Sequence, residues 1–373
     1  MSGEPRHGPG GGGPSLTYAA AGVSIEAADA AVEGMRDLVA STAVSGVIGG
    51  IGGFGGLFAL PAGYEAPVLV ASTDGVGTKL AVAVAAGRLE TVGIDLVAMC
   101  VDDLVCCGAR PLFFLDYQLL GRIDPAQVVA VMTGIAAGCR AAGCAILGGE
   151  LAEHPGLLPP GQLDLAGFAV GVVERSAVVD GPARAAEGDI LVGLASPGLR
   201  SNGYSLARRA LLEAAARPLD GPAWEGADRS LADELLRPSV IYAPAVLAAL
   251  AAGDVHAVAH ITGGGLPGNL ARVLPAHLDA LLDRSSWQEP RIFDEVRRAG
   301  QVAEEEMAQV FNLGLGMVLA VAPADVDAVL AALAAGGAGP FGGTGPAGAR
   351  VVGRLVAGTG RVRFVGEARR GDG

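Results

Sequence analysis

The chain has 373 residues, a formal net charge of −13 at pH 7, abundant alanine and glycine, and few aromatics. That length holds two ordinary domains with filled cores. The acidic balance argues against a nucleic-acid or anionic-membrane partner, so a phosphorylated ligand must find its positive charge locally. Five cysteines with no C-x-x-C spacing point to reduced thiols in a cytoplasmic protein, not to zinc or a disulfide framework.

Residues 1–14 read as a disordered Gly/Pro-rich tail with no apolar run of a secretory leader. Two uncharged stretches, Ser41–Tyr64 and Ala328–Ala349, are long enough to span a membrane but are broken by glycines and proline. Residues 24–41 have helical spacing behind a Ser24 cap. Six glycines in the eight residues Gly49–Gly56 exclude a helix or central strand. Ile51, Phe54, Leu57 and Phe58 leave a linker or a mobile loop closing on a ligand as the two readings.

Pro67–Ala71 predicts a strand that delivers the turn Ser72–Lys79. The glycines Gly75 and Gly77 let backbone N–H groups approach an anion, Lys79 adds charge, and Asp74 is a candidate metal ligand. The order Gly77-Thr78-Lys79 is not that of a Walker A loop. Plain turn chemistry remains the competing reading. Residues 91–107 predict a buried helix in which Asp95, Asp102 and Asp103 ask for a reason, metal binding or a solvated face.

Further strands are expected at Leu112–Tyr117, Ala145–Leu147 and Leu165–Val173, with a helix over Asp124–Ala142 begun by Asp-Pro. This alternation indicates an α/β or α+β domain, and the boundary falls near Ser176–Ala186. A second cycle follows. Strand Ile190–Ala195 leads to Ser201-Asn202-Gly203 opening a helix that ends near Pro218. Residues 219–230 form a polar insert before a helix over Ile241–Ala252. Strand Val255–Ile261 runs into Thr262-Gly263-Gly264-Gly265 and a helix through Leu274. A strand at Phe311–Val321, a helix at Pro323–Ala335 and a last strand at Val351–Val356 complete it, leaving the terminus as a disordered tail. The expected organisation is an N-terminal domain over 15–177, an α/β domain over 178–356, and tails over 1–14 and 357–373.

Asp74, Asp103 and Glu150 sit at strand ends or beside one, as hard oxygen ligands for Mg²⁺ or as separate turn acids. The segment His260–Gly265 is more specific. A threonine and three glycines opening a helix make an anion site, with His260 as acid–base group, phosphate ligand or structural side chain. His154 and His256 have no such context and read as structural.

These segments resemble the phosphoribosylformylglycinamidine cyclo-ligases, or aminoimidazole ribonucleotide synthetases. The resemblance is carried by Tyr18–Val23, Gly49–Gly56, Thr73–Lys79, Gly93–Val101, Pro111–Tyr117, Gly148–Glu150, Ser201–Leu206, His260–Gly265 and Phe311-Asn312. It runs in order from about Leu16 to Val356. It implies a two-domain α+β and α/β fold whose N-terminal sheets pair across a homodimer into a shared barrel. It further implies ATP-dependent closure of formylglycinamidine ribonucleotide to aminoimidazole ribonucleotide, with ATP and Mg²⁺ bound, and makes 15–177 an ATP-binding and dimerisation domain.

By the same resemblance, Gly50, Gly52, Gly53, Phe54 and Gly55 would close over ATP. Asp74, Asp103 and Glu150 would carry Mg²⁺, while Gly75, Gly77, Thr78 and Lys79 would hold the phosphates. Ser201, Asn202, Gly203, Thr262, Gly263, Gly264 and Gly265 would receive the ribose 5-phosphate or formyl region. His260, Asp103 and Lys79 would be the catalytic groups. Asp102 stands where these enzymes commonly have Asn, so it would alter metal binding or face solvent. Leu151 and His154 replace the more usual Thr and Met. Among proteins sharing this fold, a selenophosphate synthetase would need a reactive residue in the early glycine segment, and no Cys precedes Cys100. A hydrogenase-maturation protein would end in cysteine, whereas this chain ends Gly371-Asp372-Gly373.

Overall fold

The computed structural model describes residues 17–335 and 348–371. The tail expected over 1–14 and most of the glycine-rich part of Ala328–Ala349 lie outside them. No helix among the described residues is long and apolar enough to cross a membrane.

The N-terminal half opens with α1 (Ile25–Ala40), capped by the Ser24 hydroxyl accepting from the Ala27 N–H at 3.1 Å. A small hairpin of β1 (Val47–Ile48) and β2 (Leu57–Phe58) carries the glycine segment at its tip. Then come β3 (Pro67–Gly75), α2 (Lys79–Ala86), α3 (Val92–Cys106), β4 (Arg110–Leu120), α4 (Pro125–Ala142), β5 (Ala145–Glu153) and β6 (Leu163–Glu174). The four long strands form one sheet in the order β3-β6-β4-β5, antiparallel except for the β4–β5 pair.

Helices α3 and α4 cover one face of this sheet. The other face shows Leu69 and Phe168, both well exposed, beside Tyr117. Residues 72–75 are part of β3 and not a free turn, because Asp74 and Gly75 pair with Gly167 and Ala166 of β6.

The C-terminal half contains α5 (Gly181–Arg184), β7 (Ile190–Ala195), α6 (Tyr204–Arg208), α7 (Leu231–Leu235), α8 (Ala243–Ala252), β8 (Val255–His260) and α9 (Gly265–Arg272). It continues with β9 (Leu278–Asp283), β10 (Gln288–Glu289), α10 (Arg291–Gly300), α11 (Glu304–Val310), β11 (Leu315–Val321) and α12 (Val326–Ala335). The last strands are β12 (Arg350–Ala357), β13 (Val362–Val365) and β14 (Arg369–Arg370). Six strands form a sheet ordered β13-β9-β12-β7-β11-β8.

The expected tail from residue 357 is therefore wrong over its described part. Strand β13 pairs with β9, Phe364 packs against the core, and β14 pairs with β10.

Helix α3 joins the two halves. All of its residues but Asp103 and Cys106 are buried. Its apolar stripe packs on the first sheet, and Asp95 and Asp102 point into the second domain. Both aspartates are inaccessible to solvent, so the solvated-face reading does not hold for them.

Candidate active site at the domain boundary

The boundary cleft is built where α3, the end of β3, the start of α6 and the start of α9 meet. Strand alternation puts Ser72 and Asp74 on the helix-covered side of the first sheet. There Ser72 Oγ lies 3.2 Å from Asp103 Oδ2, and the other Asp103 oxygen lies 2.8 Å from His260 Nδ1. Asp103 keeps 46% of its side chain exposed, which leaves it free to face a ligand. Burial raises the Asp103 carboxyl, but the hydrogen bonds from His260 and Ser72, with the charge of the nearby Arg272, outweigh this and hold it below its ordinary value. The neighbouring Asp74 is pushed up, first by burial and then by Asp103, against the Gly75 N–H at 2.7 Å.

On the other wall, Thr78 Oγ1 meets Ser205 Oγ at 3.0 Å, tying the end of the phosphate-turn candidate to α6. Gly203 takes φ +77°, and a Cβ there would lie 2.2 Å from the Phe311 ring, so only glycine fits. Gly265 is fixed likewise, since a Cβ would come within 1.9 Å of the Ala308 carbonyl oxygen. Asn202 Oδ1 would stand 3.3 Å from a Cβ at Gly263, which brings the two glycine turns side by side.

Asn269, buried one turn into α9, donates from Nδ2 to the Gly265 carbonyl at 2.8 Å and to those of Thr262 and Gly263 at 3.3 Å. It gathers the loop carbonyls on one side, which helps hold the turn in shape. Sequence reasoning missed Asn269 and Arg272. Asn269 could have been found as a polar residue one turn past the glycine run, whereas nothing in the spacing marks Arg272.

Three expected site residues require correction. Lys79 does not face the cleft. It opens α2, has no exposed surface, and pairs with Asp95 Oδ2 at 2.6 Å. Its amine also donates to the carbonyls of Arg200 at 3.0 Å and Arg237 at 2.8 Å, leaving nothing for a phosphate. Burial pushes this amine below its ordinary value, opposed by Asp95.

Glu150 does not join Asp74 and Asp103. Register aligns Asp74, Gly167, Asp116 and Gly149 across the sheet, so Glu150, one residue on, points to the opposite face three strands away, roughly 14 Å. Its carboxylate instead accepts from the Leu151 N–H at 3.0 Å. No group of three potential metal-ligating side chains occurs among the described residues.

His260 is almost fully buried and both ring nitrogens are engaged, Nδ1 by Asp103 and Nε2 by Arg200 at 2.8 Å. It has no free nitrogen for proton transfer to a substrate. Asp102 neither faces solvent nor joins the acidic pair. Its carboxylate accepts from Arg200 at 3.0 Å and from the N–H groups of Tyr242 and Ala243 at 2.8 and 3.1 Å.

The glycine tip, with Gly50, Gly52, Gly53, Phe54 and Gly55 all exposed, is also remote from the turn at Asp74. Gly56 lies against Leu147 of β5, and Phe58 stacks near Phe113 at 5.4 Å. The tip is thus anchored at the edge of the sheet opposite β3. A Cβ at Gly50 or Gly55 would meet nothing within 4 Å, so packing does not explain these glycines.

Two α/β halves joined through α3, with Asp103 bound to His260 across their boundary, define the class. Residues 62–173 match the family model "AIR synthase related protein, N-terminal domain", and residues 186–362 match the corresponding C-terminal domain. Solved structures with this fold include thiamine-monophosphate kinase from Stenotrophomonas maltophilia K279a. It has a TM-score of 0.61 at 22% identity, over 91% of this chain and 96% of that one. Hydrogenase maturation protein HypE in complex with ATP superposes with a TM-score of 0.56 at 18% identity, over 90% and 89%. These likenesses show the fold alone.

Curated relatives are far more similar. The phosphoribosylformylglycinamidine cyclo-ligase of Myxococcus xanthus is 53% identical over 94% of this chain and 98% of that protein. That of Anaeromyxobacter dehalogenans (strain 2CP-1) is 54% identical over 87% and 93%. The chain belongs to the phosphoribosylformylglycinamidine cyclo-ligase family.

Proposed function

We propose that this chain closes the imidazole ring of formylglycinamidine ribonucleotide, with ATP, to give aminoimidazole ribonucleotide, ADP and phosphate in purine biosynthesis. The observation that carries the reading is identity above one half with cyclo-ligases over nearly their whole length. The formamide oxygen attacks the γ-phosphorus of ATP and ADP leaves. The amidine-side nitrogen then attacks the formamide carbon, the C–O bond breaks to release phosphate, and the nitrogen loses a proton.

The donor chemistry of Asp74 and Asp103 fits Mg²⁺, which takes one or two carboxylates and keeps its remaining positions for water and phosphate oxygens. The ion, when bound, offsets charge on the transferring phosphoryl group. Arg272 supplies a positive charge near that pair, and Thr78 a hydroxyl on the facing wall. Asn202, Ser201, Thr262 and the N–H groups of Gly263 and Gly264 receive the ribose 5-phosphate at the start of α9, where the Gly265 N–H instead closes the turn on the Thr262 carbonyl at 3.0 Å. The Gly49–Gly56 tip closes over ATP and excludes water, protecting the phosphorylated intermediate from hydrolysis.

The partner is a second copy of the chain. The exposed apolar face bearing Leu69, Tyr117 and Phe168 supports pairing of two N-terminal sheets into a shared barrel. In such a dimer the tip of one subunit can serve the Asp74 edge of the other. The enzyme works in the cytoplasm, where its substrates and reduced thiols belong. A coupled ADP-release assay with formylglycinamidine ribonucleotide and Mg-ATP should show substrate-dependent ADP and an aminoimidazole product. ADP release with thiamine monophosphate in its place would overturn the assignment.

A further inference from the structure

Among the described residues Arg200 is the largest fully buried side chain and one of four non-glycine residues with positive φ, at +63°. Left-handed backbone in a bulky residue is uncommon and is kept only where its surroundings enforce it. Here Lys79, itself anchored on Asp95, donates to the Arg200 carbonyl at 3.0 Å and holds that backbone. The guanidinium stacks 4.9 Å from the Tyr242 ring centroid, donates from Nη1 to the Val240 carbonyl at 3.1 Å, and spends Nη2 on two acceptors. Those acceptors are Asp102 Oδ2 at 3.0 Å and His260 Nε2 at 2.8 Å.

A guanidinium has donors and no acceptor. His260 Nε2 must therefore present its lone pair, and the ring proton sits on Nδ1, where it is donated to Asp103 Oδ1 at 2.8 Å. We infer that Arg200 is a positioning residue of the reaction: through the tautomer it imposes on His260 it fixes the direction of the Asp103 carboxylate, and Asp102 is an acid because a buried guanidinium needs a counter-charge. The chain of contact runs Asp95, Lys79, Arg200, His260, Asp103, and only its last member reaches the cleft. The inference rests on the proposed metal role of Asp103.

Outer partners of this kind orient ligating groups, and their loss costs about 10–100-fold in metal affinity. The test compares wild type with the double variant Arg200→Met with Asp102→Asn, which removes both buried charges together, and with Arg200→Lys, whose compact ammonium lacks the planar fork that reaches Val240, Asp102 and His260 together. Thermal unfolding establishes that each is folded. Should the double variant not fold, Arg200→Lys carries the test. Nitrogen-15 NMR of the histidines reads the ring tautomer, and Mn²⁺ titration with a non-hydrolysable ATP analogue reads metal binding.

In wild type the expected His260 signal is a neutral ring protonated at Nδ1. In the variants it becomes a mixture of tautomers, Mn²⁺ binding weakens about tenfold or more, and kcat falls while KM for the amidine substrate moves less. A wild-type ring protonated at Nε2, or Nδ1 protonation and Mn²⁺ affinity both unchanged in the folded variants, overturns the inference. If tautomer and metal binding shift as expected but wild type makes no aminoimidazole product, the fault lies with the proposed reaction and not with Arg200.

Discussion

Lys79 and Asp95 sit 2.6 Å apart in a region closed to water, and the loss of either leaves the other stranded. Lys79→Met should therefore destabilise the fold by about 3–5 kcal/mol, the cost of an uncompensated buried charge. Urea unfolding measures this. Unchanged stability with a sharply raised KM for ATP would restore the phosphate role. A second buried acid behaves differently. Asp116, whose one side-chain partner is the Gln118 amide at 2.8 Å, is pushed up by burial to about 6.

Because this folded value lies above the ordinary 3.8, the native state binds the extra proton between about pH 4 and 6. Stability from this group is then present below that window and is lost as pH rises through it. Asp116→Asn should match wild type near pH 4 and exceed it by about 3 kcal/mol at pH 8. Parallel denaturation curves at both pH values decide it, and an equal effect at the two would show that Asp116 does not titrate there.

At the scale of elements, the glycine tip and the C-terminal strands show what local sequence can carry. Helix α4 was legible from Asp124-Pro125 alone, because the Asp124 side chain accepts from the Ala126 N–H at 2.9 Å and proline suits a first turn. Strand β9 was not, since Leu278-Asp279-Ala280-Leu281-Leu282-Asp283 has no strong strand propensity. It is held extended by β12 on one side and β13 on the other. The same pairing rescues residues 362–365 from the disorder their polar neighbours suggest.

For the site, the carboxylate at 103 and the glycine turn at 263–265 were legible because their chemistry is local. Lys79 and Glu150 were misjudged because side-chain direction depends on partners far away in the chain. Gly50→Ala tests the tip. With open space around that position the variant should melt like wild type, while KM for ATP rises on the order of several-fold if the tip closes over nucleotide. An unchanged KM removes the tip from nucleotide binding.

For the whole molecule, the sheet face bearing Leu69, Tyr117 and Phe168 is apolar and exposed. Leu69, at 57% exposure, projects from it, and Leu69→Asp places a charge where two sheets would meet. Sedimentation should convert a dimer to monomer at micromolar concentration, and turnover should fall with it if each subunit lends its tip to the other. A dimer that survives the substitution, or a wild-type monomer with full turnover, argues against that arrangement. A dimer of this kind could not be read from composition or periodicity, because an edge-to-edge or face-to-face partner leaves the same alternation in the strand.

Helix α3 also fixes how this molecule can be divided. Its three aspartates, two of them sealed from solvent, find their counterparts at Lys79, Arg200, Ser239 and His260, three of which belong to the other half. A hybrid protein joined near residue 177 would inherit Asp102 and Asp103 from one parent and their partners Arg200 and His260 from another. The seam in the chain is at residue 177, yet the inheritable unit straddles it, and an exchange of halves between relatives succeeds only where these positions travel as a set.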